Sequence, residues 1–204
     1  MKSVTKFALL SAALVSAPLA MAHEAGDMFI RGGLVNVMPS VDDNTDLGLG
    51  LDVDNNLQIG LTGTYMYTDN IGVELLVATP FTHDITADGA NGADVGEVSH
   101  LPPSLMAQYY FGTADSDVRP YVGAGLNYTI FFEEKLDSGA KLELDDSFGL
   151  AAQVGVDYNI SDNLFINASV WYMDINTDVT INGVDHGDLD IDPVSVMASV
   201  GYTF

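Results

Sequence analysis

The 204-residue chain contains no cysteine, so neither a disulfide framework nor a thiolate metal site is open to it. Basic residues are scarce: six Lys and Arg stand against 29 Asp and Glu, for a net charge of −23. Nucleic acid is therefore not an expected partner, since phosphate binding needs clustered Lys and Arg. Charged residues make up 17% of the chain, below the usual quarter of soluble domains, and mean hydropathy is +0.20. Yet beyond the N-terminal segment no window approaches the roughly 18–20 apolar residues that a transmembrane helix needs. An apolar chain without such helices points to a closed β-barrel, the other backbone arrangement that lipid tolerates.

The N-terminus carries Lys2 and Lys6, an apolar run from Phe7 to Leu19 broken by Pro18, and Ala20-Met21-Ala22. A short basic region, an apolar stretch and an A-x-A site read as a secretory signal peptide over 1–22, leaving a barrel over 23–204 that begins at His23. The C-terminus agrees. Val194, Val196, Ala198, Val200, Tyr202 and Phe204 fall on one parity and end flush with the chain, as in the last strand of an outer-membrane barrel.

The same alternation recurs between these ends, for example at Leu57, Ile59, Leu61, Gly63, Tyr65 and Tyr67, and at Leu164, Ile166, Ala168, Val170 and Tyr172. It predicts an all-β fold, an eight-stranded antiparallel transmembrane β-barrel. Tight turns are expected at 68–70, 112–118 and 161–163, and long polar loops at about 39–55, 83–98, 134–146 and 176–189. Three short and four long connections put both termini on the periplasmic side of a Gram-negative outer membrane. Aromatics near the strand ends, among them Tyr65, Tyr109, Tyr128, Phe132, Tyr172 and Phe204, would form the interfacial girdles.

Most of the acid falls in the long loops and reads as a solvated, self-repelling surface. A calcium loop starting at Asp42 places Asp42, Asn44 and Asp46 at positions 1, 3 and 5. It then fails, with Leu47 where Gly is required and Val53 where a bidentate Glu is required. No metal or cofactor is expected, although loose divalent binding between acidic loops and lipopolysaccharide phosphates stays open.

If the apolar parity faces lipid, the other faces the lumen. Near the periplasmic end it carries Arg31, Glu74, Gln108, Arg119 and Asp157, whose opposite charges should pair into a floor. Higher up it turns apolar, with Leu76, Ala78, Met106, Trp171, Met173 and Met197. This is either a wall for a greasy solute or simple packing of a solid core. Pro80 ends the third strand and Pro102-Pro103 open the fourth, each removing an N–H from the ladder. They either just end the strands or mark a seam through which an apolar solute could leave sideways.

These residues also carry a resemblance. The stretches Thr68 to Leu76, Ala78 to Phe81, His100 to Pro103, Leu105 to Gln108, Arg119 to Tyr128, Val170 to Ile175 and Gly201 to Phe204 resemble the OmpW family of small outer-membrane proteins. The resemblance implies an eight-stranded barrel with a narrow hydrophobic channel, passive uptake of small apolar molecules with lateral release, and a constriction at Leu76 and Trp171. The expected partners are outer-membrane lipid and lipopolysaccharide, small apolar solutes, and the assembly machinery reading the C-terminal strand. The loops look shorter and more acidic than in the family, and Thr203 stands where a basic residue is expected.

Two other classes compete. A structural or receptor barrel would have a packed lumen and act through its acidic loops. A lipid-modifying enzyme would use His83 or His100 with Ser99 or Ser104. The chain lacks a G-x-S-x-G elbow, and the expectation is that it is not an enzyme.

Overall fold

The computed structural model describes residues 23–87 and 93–204. The expected signal peptide, and Asp88 in the second acidic stretch, lie outside the described residues. In chain order the strands are β1 (Met28–Met38), β2 (Asp42–Asp43), β3 (Leu51–Val53), β4 (Asn56–Met66), β5 (Ile71–Ala78), β6 (Phe81–Ala87), β7 (Ala93–Leu101) and β8 (Ser104–Tyr110). There follow β9 (Val118–Leu136), β10 (Leu142–Leu144), β11 (Ser147–Asn159), β12 (Leu164–Met173), β13 (Asn176–Ile181), β14 (Val184–Asp190) and β15 (Val194–Thr203).

Eight of these form the wall, in the order β1, β4, β5, β8, β9, β11, β12 and β15, every neighbouring pair antiparallel. The first and last strands pair from Phe29↔Thr203 to Met38↔Val194, so the sheet closes and leaves no free edge. Strict alternation is the cause. In β12 the odd-numbered residues Phe165, Asn167, Ser169, Trp171 and Met173 are buried, while Ile166, Val170 and Tyr172 are exposed.

Tight turns join β4 to β5, β8 to β9 and β11 to β12 at the lower end, where both described termini also lie. Tyr65, Tyr109, Tyr158, Tyr202 and Phe204 are exposed around this rim. At the upper boundary the Tyr128 and Tyr172 hydroxyls donate to Asp146 and Asp192, each at 2.8 Å, so the rings sit in the apolar band and their tips reach the polar side. Phe132, expected in this girdle, is instead half-buried above it.

Of the four stretches read as polar loops, 83–98 and 176–189 are largely strand, and 39–55 and 134–146 hold short strands. β6 and β7 form a hairpin from Phe81↔His100 to Ala87↔Ala93, flanked by β3 and by the upper part of the 19-residue β9. β10, β13, β14 and β2 make a second small sheet. The loop reading weighed their acid and missed the intervening positions: Asp84 is exposed, while Phe81, His83, Ile85 and Ala87 are buried. The two sheets form a crown above the membrane wall.

Candidate functional site

The buried faces of the crown enclose an apolar cavity of about 400 Å³, lined among others by Val53, Ile85, Val98, Phe131, Leu142 and Val179. None of these vestibule residues was singled out from the sequence, although their alternation with acidic neighbours is a visible signal. Below it lies a neck, a void of about 20 Å³ touched by Leu76, Ala78, Phe81, His100, Pro102, Met173 and Ser195. Such a space holds about one water-sized group. Leu76, Met106, Trp171 and Met173 pack together beneath the vestibule in one continuous apolar cluster. The Trp171 Nε1–H donates to Ser169 Oγ at 3.0 Å, which fixes the ring within that cluster. Met197 lies to one side, packed with Val35, Val37 and Phe81.

Two histidines stand where vestibule meets neck. His83, on β6, and His100, at the end of β7, are buried and stacked with centroids 5.0 Å apart and Nε2 atoms 3.0 Å apart. Paired with Phe131, one residue beyond Ile130 and above the Tyr128 girdle, His100 lies outside the lipid-spanning band. Burial, with His83 adjacent, pushes the His100 pKa down to about 3, and burial lowers that of His83. Both rings are neutral near pH 7.

Beneath the apolar column the bore is sealed. Arg31 bridges Asp157 (Nη2 to Oδ2, 2.6 Å) and Glu74 (Nη1 to Oε2, 2.5 Å), and also donates to Thr64 Oγ1 and the Tyr110 hydroxyl. Gln108 and Gln153 donate to the other Glu74 oxygen at 2.8 and 3.0 Å, and Asn167 donates to Asp157 at 2.7 Å. The His23 Nε2 sits 3.0 Å from Asp157. Phe29, Tyr121 and Phe165 surround the guanidinium, whose carbon lies 4.7 Å from the Phe29 ring centroid. Two of these rings lie over glycines: a Cβ on Gly201 would fall 2.1 Å from Phe165, and one on Gly155 would fall 2.5 Å from Tyr121.

Arg119 differs from expectation. It pairs with no floor carboxylate among the described residues; its guanidinium donates to the carbonyls of His23 (2.9 Å) and Asp69 (2.6 Å), tying the start of the described chain to a tight turn. With two carboxylates already matched by Arg31, backbone oxygens are the acceptors within reach. His23, Tyr110, Gln153 and Asn167 complete the plug and were not foreseen as part of it.

The prolines interrupt one hairpin. The β5–β8 ladder stops at Leu76↔Ser104 and pairing resumes at Phe81↔His100, so no ladder pair joins residues 77–80 to 101–103. Pro80 is exposed, whereas Pro102 is buried against the neck. On the far side β9 stays attached, with Tyr128 N donating to Pro103 O at 3.0 Å and Leu101 opposite Ile130. The serines do not form the arrangement an acyl-transfer enzyme needs. Ser99 Oγ lies 2.9 Å from Thr82 Oγ1, and Ser104 Oγ donates to Pro102 O; neither hydroxyl is hydrogen-bonded to a histidine ring.

A closed wall apolar on its outer face, aromatic girdles and inward polar groups define an eight-stranded outer-membrane β-barrel. Residues 24–204 match the OmpW family model, and the chain belongs to the OmpW family. It is 50% identical over 215 residues to outer membrane protein W of Escherichia coli, covering 100% of both chains. The crystal structure of OprG from Pseudomonas aeruginosa aligns with a TM-score of 0.81 at 40% identity, covering 91% of this chain and 99% of that one. A P. aeruginosa relative named dibenzothiophene metabolism operon protein PahQ is 27% identical over 134 residues, covering 65% of this chain and 63% of its own. The protein resides in the outer membrane, and its relatives are barrel proteins rather than known enzymes.

Proposed function

We propose that the barrel takes small hydrophobic molecules passively from outside the cell and releases them sideways into the bilayer. One observation carries this reading: the apolar column begins in an open vestibule, lies above a hydrogen-bonded ionic plug, and touches an unpaired stretch of wall at its neck. A solute at the neck faces buried charges below and the unladdered backbone at Pro80, Pro102 and Pro103 beside it, and the sideways step leaves the ion pairs intact. The neck is closed at rest, so Leu76, Trp171 and the methionines must yield. Met106, Met173 and Met197 suit that task because an unbranched thioether refits at low cost. The name of the PahQ relative ties that protein to an apolar aromatic compound, which favours the same class of cargo here.

The lumen is otherwise closely packed, and that favours a second reading, a sealed barrel acting through its acidic crown. A lock across the seam separates the two. Ala78→Cys with Pro102→Cys sets a thiol pair on opposite lips of the neck in a chain with no other cysteine. Oxidation should abolish uptake of an apolar fluorescent solute into proteoliposomes, and reduction should restore it. Uptake equal to protein-free liposomes in every redox state would leave the sealed barrel standing.

A further inference from the structure

The two histidines form a chain of hydrogen bonds whose polarity is fixed from one end. His83 Nδ1 faces the Asp54 carbonyl oxygen at 2.5 Å, and a carbonyl can only accept, so the proton is on His83 Nδ1. The ring is neutral, which leaves its Nε2 as an acceptor. That acceptor faces His100 Nε2 at 3.0 Å, so His100 must carry its own proton there. His100 Nδ1 is thereby a bare lone pair, buried and without a hydrogen-bond partner among the described residues. A second buried polar atom at the same neck is in the same condition: the Ser195 hydroxyl, on a residue 1% exposed, has no partner either. Native interiors rarely leave such atoms unmatched.

The two residues that carry this acceptor and this hydroxyl line one void of about 20 Å³ under an apolar chamber of about 400 Å³, and with the neck closed both atoms lie just beneath its apolar surface. We infer that the neck selects apolar solutes carrying one hydroxyl group, aliphatic alcohols and phenols, which donate to His100 Nδ1 and accept from Ser195 Oγ while their hydrocarbon part fills the vestibule. This rests on the hydrophobic-uptake reading and names its preferred cargo. A hydrocarbon of equal size fills the same chamber but leaves both polar atoms unmatched, and an ether, which can accept from Ser195 Oγ but has no proton to donate, leaves His100 Nδ1 bare; a site built to hydrogen-bond a hydroxyl discriminates against the analogue lacking it.

The test uses two isomers, 1-heptanol and hexyl methyl ether, titrated into the full barrel in phospholipid nanodiscs and read by Trp171 fluorescence, each corrected for its lipid partition. Heptanol should bind about tenfold more tightly than the ether. In the double variant His100→Phe, Ser195→Ala the ratio should collapse toward one while ether binding persists. Equal affinities in the unaltered protein, or an undiminished ratio in the variant, would overturn the inference. If neither isomer binds, the uptake reading itself fails, a different result from equal binding. Nitrogen-15 NMR of the unaltered protein gives an independent check that needs no variant to fold: His100 should be protonated at Nε2 and bare at Nδ1, and the opposite tautomer refutes the assignment.

Discussion

Arg31 uses its whole guanidinium inside the wall, with bonds to two carboxylates, a threonine and a tyrosine. Replacing it with methionine keeps the volume but leaves Glu74 and Asp157 facing one another in a space closed to water. The expected loss is about 3–5 kcal/mol of unfolding free energy, read from urea titrations in micelles. Adding Glu74→Gln and Asp157→Asn should recover most of it, because the penalty comes from uncompensated charge. Arg119→Met should cost less, since it strands two backbone carbonyls rather than two carboxylates. Arg31, Glu74 and Asp157 were legible as inward residues because period-2 parity needs only the strand. The recruitment of His23 was not. It arrives from before the first strand, along a backbone with φ of 74° that no alternation announces.

At the level of elements, the β5–β8 hairpin is one ladder cut in two. Pro102→Ala with Pro103→Ala returns two N–H donors to the gap opposite residues 77–80. Amide exchange at Ala78, between two positions that face β4, should slow and solute uptake should fall; unchanged exchange would mean that the gap is held open by something other than the missing donors. The upper hairpin taught a different lesson about reading sequence. β6 alternates Phe81, His83, Ile85 and Ala87 inward against Thr82, Asp84 and Thr86 outward, the same code as the wall. Its outward face meets water instead of lipid, so the acid there disguised a strand as a loop. The pairing of His100 with Phe131 continues the register of Ser104↔Asn127 in the wall, and only above it, between Glu97 and Ser99, does a bulge break the parity.

For the whole molecule, the imbalance of 29 acidic to six basic residues concentrates negative potential around the mouth of an apolar chamber. Octanoate should therefore bind far more weakly than 1-octanol near neutral pH, and the difference should narrow as salt screens the crown. A difference insensitive to ionic strength would assign the discrimination to the neck alone. The closure of the wall has a further consequence in time. Phe29 pairs with Thr203, so the edge of β1 stays open until β15, the last strand of the wall, has been made. Without β15 the wall would expose two borders at once, those of β1 and β12, so the last step of its assembly covers both together.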